Sequence, residues 1–411
     1  MASDVLEGVL DAAARQLDDA VDLRRRIHER PELGNELPVT QAAVLDALDG
    51  LPLAISTGTT TSSVVAILDG GEPGPTILLR GDMDALPMPE DTGLDYASGV
   101  DGAMHACGHD AHTAMLASAA KLLCARRGAL AGRVAFMFQP GEEGHDGARL
   151  MLEEGLLAEV ATGAEPVSMA FALHQSPTIP SGMIATKGLA IMASADTFQI
   201  TVRGRGGHAS MPHHATDPIP IACEIVTGLQ AMVTRRVDAF DPAVVTVAKI
   251  RAGTTTNVIP ESATLWGTIR TVSEHSRRAV LELIERLADG IASAHGAAAE
   301  VDLIPGYPVT VNDDAAAHFA LDTATSLLGA EHAVELPQPV MGAEDWSYVL
   351  QQVSGSMAFL GTRPPGVPAR DVAPNHSNRM ILDETAMVPG IATYAAVALR
   401  WLDEGGSPAA A

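Results

Sequence analysis

Hydrophobic and polar positions along this chain fall into two textures. In the first, short unbroken apolar runs stand between turn-rich stretches: VVAIL (64–68), TILLR (76–80), RVAFMF (133–138) and SMAFAL (168–173). Runs of that length without alternation suit strands buried on both faces. Between them, DAHTAMLASAAKLLCARR (110–127) opens on an aspartate and ends on arginines, the polarity a helix dipole favours. ARLMLEEGLL (148–157) predicts another helix. Strand and helix alternate, so the pattern predicts an α/β fold with a mostly parallel sheet.

From about Thr186 the texture changes. ADTFQITVRG alternates as a half-buried strand, and TDPIPIACEIVTGLQAMVT predicts a helix with proline in its first turn. AVVTVAKI and ATLWGTIR predict strands, SEHSRRAVLELIERLADGIASAH a long amphipathic helix, and AAEVDLI a strand. The order β-α-β-β-α-β is that of a split-βαβ, ferredoxin-like unit. After Pro305 helix–strand alternation returns, with SMAFLGT (356–362), and the tail GGSPAAA reads as disordered. The expectation is one α/β domain (1–185 and 306–411) interrupted by a smaller α+β insert (186–305).

Composition narrows the function classes. A chain of 411 residues, 47% hydrophobic and 19% charged, is long enough for two to three globular domains. The net charge of −25 repels nucleic acid and anionic lipid, so neither is an expected partner. No apolar run approaches the ~20 residues of a membrane span. The N-terminal stretch MASDVLEGVLDAAARQLDDAVD reads as an acidic amphipathic helix rather than a signal peptide, so a cytoplasmic location is expected. Three cysteines, Cys107, Cys124 and Cys223, are too few and too odd for a disulfide framework.

The chemistry-bearing residues gather at strand ends. Asp82 and Asp84 follow TILLR, Glu142 and Glu143 follow RVAFMF, His174 follows SMAFAL, and MHACGHDAH (104–112) precedes a helix. Ligands of open α/β sheets bind outside the carboxyl ends of the strands, so these groups are expected at one edge. A thiolate, imidazoles and carboxylates suit zinc and its first-row neighbours. Of two adjacent carboxylates, one can bind metal while the other stays free as a general base. Each piece alone has a plainer reading: a packed thiol, a solvated loop, a histidine bonded to backbone. His105 and His112 read as supporting or helix-surface residues. A cysteine nucleophile, with His109 or His112 as base, leaves Glu142, Glu143, His174 and His376 without roles, and a non-catalytic metal binder leaves Glu142 without one.

RGDMDALP, MHACGHDAHT, FQPGEEG, GRGGHASMPHHATDPI, NVIP, GAEDWSY and PNHS occur in the order and approximate spacing of the M20 metallopeptidase family. They resemble its amidohydrolase branch, which includes hippurate hydrolase, N-acyl-amino-acid aminoacylases and auxin-conjugate hydrolases. The resemblance runs from RRRIHERPELG near residue 24 to NHSNRM near 376. It implies that Cys107, His109, Glu143, His174 and His376 ligate one or two divalent ions (zinc, cobalt, manganese or nickel). It implies Glu142 as general base and His208, on a lid and dimerisation domain, as the group that steadies the oxyanion. Asn257 and Arg270 become substrate contacts, and Asp84 an orienter of a neighbouring ligand. The implied reaction is hydrolysis of N-acyl amino acids by a homodimer or tetramer; the alternative within the family is a dipeptidase or carboxypeptidase. The family's usual His-x-Asp is here Asp82-Met83-Asp84, which leaves open whether Asp82 binds metal and whether the Cys107 sulfur bridges two ions.

Overall fold

The apolar runs become strands of one eight-stranded sheet: β1 (Ala54–Thr57), β2 (Val64–Asp69), β3 (Glu72–Asp82), β4 (Ala131–Gln139), β5 (Val167–Pro180), β6 (Ile184–Thr186), β7 (Ala333–Glu335) and β8 (Gly355–Arg363). Their order is β1-β2-β4-β3-β5-β8-β6-β7. The central four, β4-β3-β5-β8, are parallel, as continuous burial on both faces requires. Antiparallel pairs flank them, β1–β2 and β2–β4 on one side and β8–β6 on the other. The computed structural model describes residues 5–163 and 165–407. It groups residues up to Ile191, Val311–Gln338 and those from Tyr348 onward into one compact unit, and Met192–Thr310 with Pro339–Ser347 into a second.

In the first unit, helices α1 (Leu17–His28), α2 (His109–Ala125) and α3 (Met387–Asp403) pack with the sheet into one core. Nearly every side chain of α2 is buried, which explains its small, alanine-rich sequence. Tyr394 of α3 bridges the strands at the working end of the sheet. Its hydroxyl donates to the Arg80 carbonyl at 2.7 Å and accepts from the Leu173 amide at 3.1 Å. The last β3–β5 pair is Arg80 with Ala172, and β3 ends at Asp82. His174 is thus level with the end of β3 but lies inside β5, because that strand runs on to Pro180 beside β8.

Two predicted helices are broken. The acidic N-terminal stretch forms Val9–Ala14 and α1 rather than one helix, and its residues 1–4 lie outside the described residues. The 148–157 stretch forms Gly147–Glu153 and Leu156–Val160, interrupted at Gly155, whose φ of 97° ends the first piece. Residues 408–411 of the tail also lie outside the described residues.

The second unit has the predicted β-α-β-β-α-β order: Asp196–Arg203, Pro218–Arg236, Ala243–Ala252, Ser262–Thr271, Glu274–Ala294 and Ala298–Ile304. Its four strands pair antiparallel, with Ala243–Ala252 at one edge and Ala298–Ile304 at the other. Asp217 and Ser273 cap the two helices, accepting from the Ile219 and Ser276 amides. The apolar stripes of both helices pack with the sheet into a separate core.

A buried ionic network anchors the start of α2. Arg24 of α1, 1% exposed, donates through Nε to Asp110 Oδ2 at 2.7 Å and through Nη1 to Glu384 Oε1 at 2.8 Å. His28 Nδ1 lies 2.7 Å from the same Asp110 oxygen, and its Nε2 3.3 Å from Glu90. Burial opposes charge on Asp110, but Arg24 and His28 hold its carboxyl well below the usual carboxylate range. Against the same penalty, the bond from His28 and those from Thr92 and Ser98 take Glu90 from 4.5 down to about 2. Depressed carboxyl pKa values contribute stability that is complete above the unfolded values near 4 and is lost as pH falls through the folded ones. The urea midpoint, followed by circular dichroism, is therefore expected to fall between pH 4.5 and 2. Asp110→Asn is expected to cost roughly 3–5 kcal/mol at neutral pH by stranding a buried cation, and to flatten the acid slope.

Candidate metal centre

The turn from MHACGHD into α2 sets the centre of the site. Gly108 takes φ 77°, and a Cβ there would lie 2.6 Å from Gln175 Cγ, so only glycine fits. This tight passage presents Cys107 and His109 on either side of one residue. The Cys107 sulfur, on a 6% exposed residue, lies 3.4 Å from His174 Nε2. Ligand atoms of Cys107, His109 and His174 all fall within 4.8 Å of one another, and so do those of Cys107, Glu143 and His376. Cys107 is common to both triplets. The five residues expected to ligate metal are therefore gathered in one place.

The surrounding bonds fix the donors. His174 Nδ1 faces the Gln175 carbonyl at 2.7 Å, an acceptor only, so it carries the proton and Nε2 presents its lone pair toward Cys107. Burial and the neighbouring His112 hold the His174 pKa well below its ordinary value, and a neutral imidazole is the ligating form. His109 Nδ1 lies 3.3 Å from Asp84 Oδ1, which turns Nε2 toward Glu143 Oε1 at 3.9 Å, Glu142 Oε2 at 4.0 Å and Asp82 Oδ2 at 3.5 Å. Asp84 also accepts the amides of Glu142 and Glu143 at 3.0 and 2.9 Å. One carboxylate thus contacts the histidine and holds the GEEG turn.

Asp82 and His112 face a different task. His112 accepts the Gln175 amide on Nε2 at 2.7 Å, so its proton sits on Nδ1, 2.5 Å from Asp82 Oδ1. Both ring nitrogens are committed, so His112 supports the site rather than ligating. The helix-surface reading fails for His105 and His112, since both are buried. Asp82 also pairs with Arg80 at 2.7 Å, both side chains fully buried. Despite burial, Arg80, His109 and His112 hold Asp82 ionised, its pKa far below the ordinary value.

The donor set fits a divalent cation. Among the described residues, His109 Nε2 and Glu143 Oε1 are buried without a hydrogen-bond partner. Burial works against charge on His109, yet Asp82, Asp84 and Glu143 push its pKa up to about 10. Buried carboxylates that draw a proton onto an imidazole so strongly are equally a ready cradle for a metal ion. His376 closes the second triplet from an unusual backbone: φ is 66°, its amide donates to the Ala106 carbonyl at 2.9 Å, and Nε2 lies 3.3 Å from Glu143 Oε1.

Comparison with known proteins decides the family. The model of peptidase family M20/M25/M40 matches residues 78–400. The chain belongs to that family. The M20 chain is 36% identical to thermostable carboxypeptidase 1 of Saccharolobus solfataricus, over 94% of its own length and 96% of the relative's. It is 40% identical to N-acetylcysteine deacetylase of Bacillus subtilis, over 83% and 88%. A Bacillus subtilis protein solved as a dinuclear metal-binding peptidase of family M20 superposes with a TM-score of 0.81 at 34% identity, covering 95% and 99% of the two chains. The M20 chain is thus a metal-dependent hydrolase of amide bonds.

The remaining predicted residues, His208, Asn257 and Arg270, belong to the second unit. His208 and Asn257 are exposed and Arg270 is half-buried. His208 pairs with Val258 across a two-residue ladder, and Asn257 accepts the Ala209 amide on its carbonyl at 3.1 Å. Sequence reasoning missed Gln175 and the anchoring role of His112. No motif marks Gln175, which follows His174 as an ordinary polar residue, whereas His112 stood in the motif and lacked only its partners.

Removing the orienting carboxylate tests this geometry. Asp84→Asn is expected to weaken zinc binding about 10–100-fold with the circular dichroism spectrum retained, measured by competition with a chromophoric chelator.

Proposed function

We propose that this M20 hydrolase cleaves N-acyl amino acids to a carboxylic acid and a free amino acid. The observation that carries the reading is the shared sulfur: Cys107 joins two ligand triplets, with Glu142 buried beside them and its carboxylate 4.0 Å from His109. In this reading Cys107, His109, Glu143, His174 and His376 hold one or two divalent ions, of zinc, cobalt, manganese or nickel. A bound ion supplies Lewis acidity, polarising the scissile carbonyl and acidifying a water. Glu142 takes the proton from the attacking water on a carboxylate oxygen and returns it to the departing amine nitrogen.

Residues of the second unit complete the proposal. His208 accepts the Ser210 amide on Nδ1 at 3.1 Å, so the neutral ring carries its proton on Nε2, the form that can donate to an oxyanion. Arg270 offers a forked donor to the substrate carboxylate, and Asn257 is a second substrate contact. The insert, residues 186–305 in the sequence reading, serves as lid and dimerisation domain. Its edge strand Ala243–Ala252 supports a homodimer: it leaves one side unpaired and exposes Val244 and Ile250. A tetramer is the larger alternative. Among the described residues no helix is long and apolar enough to cross a membrane. The free thiols of Cys107, Cys124 and the exposed Cys223 support a reducing, cytoplasmic setting.

The acyl-amino-acid substrate is supported by the relative described as N-acetylcysteine deacetylase. A second reading, a carboxypeptidase, is supported by the Saccharolobus relative across 94% of this chain. A panel of N-acetyl, N-benzoyl and long-chain-acyl amino acids beside dipeptides separates them by kcat/KM. Chelation is expected to abolish turnover and added zinc, cobalt or manganese to restore it. Glu142→Gln is expected to retain metal but lose roughly 10²–10⁴ in kcat; full activity in chelated, metal-free protein would overturn the reading.

A further inference from the structure

We propose that Gln175 is the positioning residue that locks the two ligand triplets to each other. The inference rests on the metal-hydrolase reading above and concerns how its ligands are held. Gln175 is fully buried and its side-chain amide is used completely. Nε2 donates to the Cys107 carbonyl at 2.8 Å and to Asn375 Oδ1 at 2.7 Å, while Oε1 accepts from Thr362 Oγ1 at 2.7 Å. The Cys107 carbonyl is an acceptor only, so the orientation of the amide is fixed. Asn375 is oriented in turn, because its Nδ2 donates to the Gln175 carbonyl at 3.3 Å.

These bonds reach the cysteine shared by both triplets and the loop that carries His376. Cys107 belongs to both triplets, and Asn375 immediately precedes His376, which sits on a left-handed backbone. Thr362 lies on β8, the strand beside β5, so the loop contacts are referred to the sheet itself. The main chain of Gln175 does the same for imidazoles. Its carbonyl faces His174 Nδ1 at 2.7 Å and its amide donates to His112 Nε2 at 2.7 Å. The side chain thus sets the distance between the cysteine and the last histidine, while the backbone sets the tautomers of two others.

Only an amide satisfies this position. A glutamate offers no donor to two acceptors, and a methionine of similar length offers neither donors nor acceptor. Gly108 closes the remaining side, since a Cβ there would strike Gln175 Cγ at 2.6 Å. A loosened clamp frees the Asn375–His376 loop from Cys107, so the Cys107/Glu143/His376 triplet is the one that weakens most.

The test measures metal affinity directly, on full-length protein stripped of metal and titrated with zinc, by equilibrium dialysis against a competing chelator. Gln175→Met and Asn375→Ala are each expected to weaken the more weakly held zinc about 10–100-fold. In the cobalt-substituted forms, the thiolate-to-cobalt charge-transfer band is expected to change in intensity. Leu68→Ala, a core truncation on β2 that leaves the clamp intact, is the control for general destabilisation. It is expected to lower the melting temperature and leave zinc affinity as in wild type. If Gln175→Met fails to fold, Asn375→Ala alone decides. Clamp variants that bind zinc as tightly as wild type overturn the inference and leave the hydrolase reading intact. Clamp and control variants that weaken binding equally also overturn it, since the effect is then mere stability. A wild-type chain that binds no divalent ion overturns both.

Discussion

Buried negative charge organises this molecule. Asp82, Asp84, Glu142 and Glu143 come to the carboxyl ends of parallel strands around His109, where water is largely excluded. Arg80 pairs with one of them, Asp82, and Asp84 is spread over two amides and an imidazole. Glu143 Oε1 and His109 Nε2 face each other at 3.9 Å without a hydrogen bond, and His376 Nε2 approaches the same Glu143 oxygen at 3.3 Å. Desolvated carboxylates cost several kcal/mol per ion unless opposite charge offsets them, and here they draw a proton onto His109. In a family of metal-dependent hydrolases, a divalent cation is the natural compensation, so part of the binding energy is prepared during folding.

The rest of the first unit is built to bear that cost. The core around α2 holds the helix in one place, and Arg24, His28 and Glu90 brace its first turn through Asp110, the residue after His109. Tyr394 stitches β3 to β5 at the last rung before the strands deliver Asp82 and His174. Precision at the site is therefore inherited from helix and sheet for His109 and His174, and from side-chain hydrogen bonds to the turns that carry Cys107, Glu142, Glu143 and His376. The Asn375–His376 segment carries the left-handed, exposed His376, and side-chain amides tie it down.

The sequence made the fold class and the cluster of residues around Cys107 and His109 legible for a physical reason: both rest on patterns that survive projection onto one dimension. Unbroken apolar runs announced the buried strands, strict alternation announced the antiparallel insert, and charged or metal-binding residues stood at the ends of those runs. Strand order was less visible. β2 precedes β3 by a short turn, yet β4 comes between them, because parallel neighbours are chosen by crossover connections rather than proximity in the chain. The support around the site left less trace. The Arg24–Asp110 pair joins a helix that reads as an acidic surface element to a motif 86 positions away. Gln175 and Asn375 are uncharged residues whose significance lies in geometry alone, 200 positions apart. Propensity and periodicity report which face of an element is buried; they say nothing about which polar atoms meet there.

The two substrate readings are chemically closer than their names suggest. An N-acyl amino acid and a peptide about to lose its last residue present the same local structure: an acyl carbonyl bonded to the nitrogen of an amino acid whose carboxylate is free. A general base and an oxyanion donor meet identical atoms in both cases, and a forked cationic donor for the free carboxylate serves both. What differs lies on the far side of the carbonyl, where an acetyl group ends and a peptide continues through a charged or amide-bearing residue. Discrimination there is a matter of shape and of polar groups left unpaired, worth about 1–3 kcal/mol for a missing methylene and much more for a stranded hydrogen-bonding group. A shared catalytic apparatus with divergence confined to the acyl side is therefore the arrangement that chemistry favours, and it accounts for a deacetylase and a carboxypeptidase standing at similar identity to one chain.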